Sequence, residues 1–159
     1  MGFAERAMNG EEKSVEDRPR RLLEAHVTSM ARVAMALVGD AASVERVLEI
    51  VAREANAAPE RHEKAWLLGR VRAACANVAT GTPAHEVGPV RTARLGASEA
   101  IAARGVLQGL RPTEREAVVL RLVGGLDVAE IALACNVDAK TAHERLAAGL
   151  GKVLRAEGE

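Results

Sequence analysis

From Leu110 to Arg155 the chain reads LRPTEREAVVLRLVGGLDVAEIALACNVDAKTAHERLAAGLGKVLR, and its start and stop signals leave few folds open. Pro112 and Thr113 stand ahead of Glu114 and Glu116. Proline fits a helix's first turn, where its missing N–H is no loss, and acids suit the positive end of the helix dipole. Val118, Val119, Leu122 and Val123 supply a buried face, and Gly124-Gly125 tolerates the left-handed geometry that closes a helix. Asp127 caps a short second helix with Ile131 and Ala132 inward, while the small Ala129 and Ala134 permit a close crossing.

Cys135-Asn136-Val137 makes the second turn, because asparagine is the residue after glycine that best tolerates positive φ. Asp138 caps the last helix, in which Ala142, Leu146, Leu150 and Val153 recur at helical spacing. Its opening turns carry Lys140, Thr141, His143, Glu144 and Arg145 outward, with Lys152 and Arg155 further along. In a helix-turn-helix those positions reach base edges and phosphates of the major groove. A small helical bundle without DNA contact shares the same punctuation, so spacing alone leaves both open.

The rest of the chain points the same way. No segment alternates apolar and polar residues long enough for a strand, so an all-α fold is expected. The 159 residues accommodate one ordinary domain or two small helical ones. Hydrophobic residues make up 48% but aromatics only 1%, so the core must be packed from aliphatic side chains and alanine. Lysine plus arginine and aspartate plus glutamate both number 22. A zero net charge limits nonspecific affinity for DNA, which comes from cations displacing counterions.

Residues 1–18 are polar and lack sustained periodicity, which predicts a loose arm. A core-facing helix follows on Leu23, Val27, Met30, Ala34 and Leu37, stopping at Gly39-Asp40. The next buries Val44, Val47, Leu48 and Val51 and ends at Ala58-Pro59. A third, over about 61–78, turns Leu67, Val71, Ala74 and Val78 inward and bears Trp66 near its start. These three make a domain over 19–79. Glycine, proline, threonine and serine then cluster into a linker at 80–97, and a second domain spans 98–156, opening with a helix at Ser98.

Cys75 and Cys135 lie far apart, and His26, His62, His85 and His143 are scattered, with no metal-ligand spacing. Neither a metal, a cofactor nor an enzymatic site is expected. No apolar run approaches the roughly 20 residues of a membrane span, and the start lacks a signal-peptide core. The expected location is the cytoplasm.

The pattern Pro112, Glu114, Arg115, Glu116, Leu120, Arg121, Val123, Gly125, Leu126, Glu130, Ile131, Ala132, Val137, Thr141, Arg145 and Leu146 resembles, without a gap, the promoter-reading C-terminal domain of extracytoplasmic-function (ECF) sigma factors. LuxR-type response regulators share part of it, but that register asks for a basic residue at 120 and an apolar one at 121. Here Leu120 and Arg121 stand in the opposite order. Upstream, Gly39-Asp40 with Glu45, and Ala65-Trp66-Leu67, are similar to the family's N-terminal domain.

The resemblance implies a noncatalytic subunit that binds RNA polymerase core and promoter DNA and can be held by an anti-sigma factor. It puts polymerase binding on Glu45, Arg46, Glu49 and Arg53, and promoter melting on Trp66, Arg70, Arg72 and Asn77. The distal promoter element falls to Lys140, Thr141, His143, Glu144, Arg145, Lys152 and Arg155. Departures from the family pattern keep other readings in view: Arg46 where an acid is usual, Ile50 where a glutamate is usual, and ATGTPAHEVG in place of a basic, aromatic tail. One alternative is a diverged sigma-like protein acting as an interaction or regulatory module without initiation activity. Another is a stand-alone helix-turn-helix regulator.

Overall fold

A computed structural model of the chain describes residues 3–61, 63–81 and 104–158, and every regular element among them is helical. In chain order these are α1 (Phe3–Val38), α2 (Ala41–Ala57), α3 (Lys64–Gly81), a short helical segment over 104–108, α4 (Pro112–Leu122), α5 (Val128–Cys135) and α6 (Ala139–Glu157). The all-α expectation holds.

Two boundaries differ from the sequence reading. Helix α1 passes through Pro19 and reaches back to Phe3, into the stretch read as a loose arm. That stretch lacks apolar periodicity but is rich in alanine, glutamate and arginine, strong helix formers whose propensity a periodicity argument does not weigh. Helix α3 runs on to Gly81. The rest of the expected linker, 82–97, and the helix start expected at Ser98 lie outside the described residues.

Local signals position the other ends. Asp40 is extended and accepts a hydrogen bond from the Ser43 N–H at 2.8 Å, starting α2. Helix α2 stops at Ala57, just before Ala58-Pro59. Pro112 begins α4, and the Glu114 carboxylate accepts from the Arg111 N–H at 3.1 Å. Leu120 is fully buried, whereas Arg121 lies outside and donates to the Leu126 carbonyl at 3.0 Å, bracing the turn. Gly125 occupies that turn at φ +70°, a conformation costly for any residue with a Cβ.

Helices α1, α2 and α3 pack on one another around Met30, Val33, Val47, Val51, Leu67 and Val71. Helices α4, α5 and α6 close around Val118, Val119, Leu120, Leu126 and Ile131. Complete burial of each such side chain contributes about 1.5–3 kcal/mol. Val27, Leu122 and Val123, expected inside, are exposed. On α4 the inward face is rotated toward Glu114, Ala117, Val118 and Leu120.

The two helix trios form one continuous core. Helix α3 lies against α5 as well as against α1 and α2, and α1 touches α4. Gly69 makes the α3–α5 approach possible: a Cβ there would sit 2.8 Å from the Ala134 carbonyl oxygen and 2.9 Å from its Cα. Across the same seam Arg72 Nε donates to the Ala134 carbonyl at 3.1 Å, and its Nη1 meets the Glu116 carboxylate at 3.4 Å. Arg104 Nη2 donates to the Gly39 carbonyl at 2.5 Å.

Candidate nucleic-acid interface

The α5–turn–α6 unit is built by three short-range devices. Asp127 Oδ1 accepts from the Glu130 N–H at 2.8 Å while Glu130 accepts from the Asp127 N–H at 2.8 Å, a reciprocal capping box. Asn136 takes the left-handed conformation at φ 53° and ψ 49°, as the sequence reading requires. Asp138 then caps α6, accepting from the Thr141 N–H at 2.8 Å and from its hydroxyl at 2.9 Å. Those bonds hold the Asp138 carboxyl below the usual range, the Thr141 backbone bond foremost.

Along α6, Ala142 and Leu146 point into the core, so the opposite stripe faces water. Lys140, His143 and Glu144 are exposed on it, and Arg145 is half-buried beside them. Lys140 is 86% exposed, with its ammonium 4.0 Å from Glu144, a loose contact that leaves it available to a phosphate. Glu144 subtracts from the positive field of the stripe, but its carboxylate can accept a hydrogen bond from a cytosine amine. The Thr141 hydroxyl is committed to Asp138.

Lys152 and Arg155 differ. Arg155 is exposed in the last turn of α6. Lys152 instead donates to the Glu114 carboxylate at 2.7 Å and ties α6 to α4. Glu114 is 5% exposed, and its carboxyl is held below the usual range, chiefly by that bond. Lys152 is therefore a clamp within the unit in this conformation.

The four residues expected to open DNA are also occupied unequally. Arg70 grips Glu54 of α2 through two bonds, 2.7 Å and 2.5 Å. Arg72 spans the seam to Ala134 and Glu116. Trp66 is half-buried against the core, with the Arg61 guanidinium 5.7 Å from its ring centroid. Asn77 is exposed near the end of α3. Glu45, Arg46, Glu49 and Arg53 are all exposed on the outer stripe of α2, opposite Val44, Val47 and Val51.

Sequence reasoning missed Glu114, Glu116 and Arg104 as organising residues. Glu114 had a signal, since an acid three residues beyond a cap reaches back to it. Glu116 and Arg104 had none, because their partners are 44 and 65 residues away. Among the described residues no three histidine, cysteine or acidic side chains converge as metal ligands, and no helix is long and apolar enough to cross a membrane.

Comparison with known proteins adds two findings. Residues 101–153 match the family model "Sigma-70, region 4". The chain is similar in fold to CnrH, solved in complex with the cytosolic domain of CnrY, with a TM-score of 0.68 at 20% identity over 86% of this chain and 85% of that one. No curated protein matches the sequence significantly. The family match supports the resemblance of the C-terminal stretch to a sigma-factor domain, and the likeness to CnrH bears out the all-α fold.

Proposed function

We propose that the chain is an ECF-type sigma factor that binds RNA polymerase core and directs it to specific promoters, a reading supported by the match of residues 101–153 to the family model "Sigma-70, region 4". The observation that carries this reading is the outward stripe of α6, bearing Lys140, His143, Glu144 and Arg145 behind a left-handed turn. In this reading 19–79 is the polymerase-binding domain, 80–97 a linker and 98–156 the domain that reads the distal promoter element. The α6 stripe docks in the major groove, with Lys140, Arg145 and Arg155 on phosphates. Glu45, Arg46, Glu49 and Arg53 meet the polymerase. Trp66, Arg70, Arg72 and Asn77 serve strand opening, by stacking and by holding the backbone. The protein works in the cytoplasm, carries no cofactor and catalyses nothing itself.

An inhibitory anti-sigma partner belongs to the same proposal, supported by the capture of the like-folded CnrH with the cytosolic domain of CnrY. The decisive experiment mixes purified chain with core polymerase in low salt. Co-elution at micromolar protein, weakened by Glu49→Lys or Arg53→Glu, is expected; absence of any complex removes the reading.

A second reading has its own support. Arg70 and Arg72 are both tied to carboxylates, which favours a sigma-like interaction module that does not open DNA. Permanganate-reactive thymines at a promoter, dependent on this chain and polymerase, would exclude that alternative.

A further inference from the structure

Two of the polar contacts across the seam converge on one side chain. Arg72 bonds the last turn of α5 through Ala134 and pairs with Glu116 on α4, so one guanidinium of the first trio holds two helices of the second. Arg72 and Glu116 are 22% and 19% exposed, partly enclosed yet still within reach of salt screening. Beneath it the contact is close and small-residue based, Gly69 against Ala134 and Leu68 near Gly124. Two free thiols flank the same place. Cys75 lies one turn beyond Arg72 on α3, Cys135 follows Ala134 on α5, and both are buried.

We propose that Arg72 is an ionic latch between the two helix trios, so that the chain is closed while Arg72 is held by Glu116 and Ala134 and open when the guanidinium is given to nucleic acid. The two states exclude each other, because one guanidinium cannot satisfy the Ala134 carbonyl and Glu116 while lying along a phosphate backbone. The latch concerns the fold of this chain alone. Only its consequence, competition with nucleic acid, rests on the function proposed above.

The thiols supply a native reporter. In the closed state burial pushes the Cys75 thiol up to about 12, with the Glu116 carboxylate adding to the effect, and Cys135 is raised chiefly by burial. Both are therefore unreactive until the seam parts. Labelling of the full-length protein with N-ethylmaleimide, followed by mass spectrometry, reads the open fraction when opening and closing are fast.

The wild type should label far more slowly than the urea-unfolded chain. Arg72→Gln and Glu116→Gln should each speed labelling of both cysteines about tenfold, and Gly69→Ala should do so by steric conflict with Ala134. Arg20→Ala, which removes an exposed pair with Glu24 on α1, should leave the rate unchanged. Helicity by circular dichroism accompanies each variant. For any that loses it, raising salt on the wild type replaces the substitution, since screening should also speed labelling. The latch is overturned if the wild type labels as fast as the unfolded chain, or if neither the folded variants nor salt changes the rate.

A single-stranded oligothymidine separates the two claims. Faster labelling in its presence supports competition for Arg72. No response, with the variants behaving as expected, leaves the latch standing and removes Arg72 from the strand-holding role.

Discussion

Helices α3 and α6 both carry the cations that the proposed function assigns to nucleic acid, yet they dispose of them differently. On α3, Arg70 is bound by Glu54 and Arg72 by Glu116 and Ala134, so each guanidinium is committed within the molecule. On α6, Lys140 meets only a distant Glu144 and Arg155 stands in solvent. A surface whose charges are satisfied internally must release them before it can bind, and that release opposes binding. Under the proposed function, the α6 stripe is free to meet a duplex in the closed chain, while any strand-holding by α3 must wait for a rearrangement.

The sharpest challenge to a division between trios is the core they share. Leu120→Ala, in the fully buried centre of the second trio, should cost about 2–5 kcal/mol. Trp66, the single tryptophan, sits in the first trio, and its fluorescence should report a lowered urea midpoint if the seam couples the two. An unmoved Trp66 transition would mean that the trios unfold separately.

Glu114→Ala tests the second trio's own clamp. It strips the partner from the Lys152 ammonium and the Arg111 N–H, at a cost of about 1–3 kcal/mol in chemical denaturation. Glu114→Gln should recover part of that loss. Asp138→Ala removes the α6 cap and should lower the urea midpoint, weakening duplex binding through a frayed first turn.

Acid should act on both trios through depressed carboxyls. Glu114, Asp40 and Asp138 all titrate below their ordinary values in the folded chain. Their stabilisation is complete above the unfolded carboxylate range and is lost as pH falls through the lower folded values. Urea midpoints should be flat near neutrality and drop below about pH 4.5, with Glu114→Gln showing a shallower drop. The smallest effect on stability belongs to Lys140→Ala, within about 0.5 kcal/mol. Its signature is instead a salt dependence of duplex binding shallower by about 0.9 in log–log slope.

The residues that were legible in the sequence act over three or four positions. Asp127 with Glu130, Asn136 at the left-handed turn and Asp138 with Thr141 are local devices, and each forms as the sequence pattern requires. The Leu120-Arg121 order was readable as a family signal, but the burial of Leu120 was not, since the expected inward face of that helix ran through Leu122 and Val123. Charged side chains were not legible in the same way. Lys152, Arg70 and Arg72 look alike in sequence to Lys140, but tertiary packing places a carboxylate beside each of the first three. Helical phase also misled at Leu122 and Val123, where the chain leaves α4 for the turn and the apolar face has already passed.

Promoter choice given to a polymerase, the activity proposed for this chain, is put to the test by transcription from a library of genomic fragments with purified core polymerase, with and without the protein. Transcripts from a discrete set of start sites are expected only when the chain is present, and are lost with Lys140→Glu on the outer stripe of α6. An identical transcript profile in its presence and absence, under conditions where the protein is folded, would contradict it.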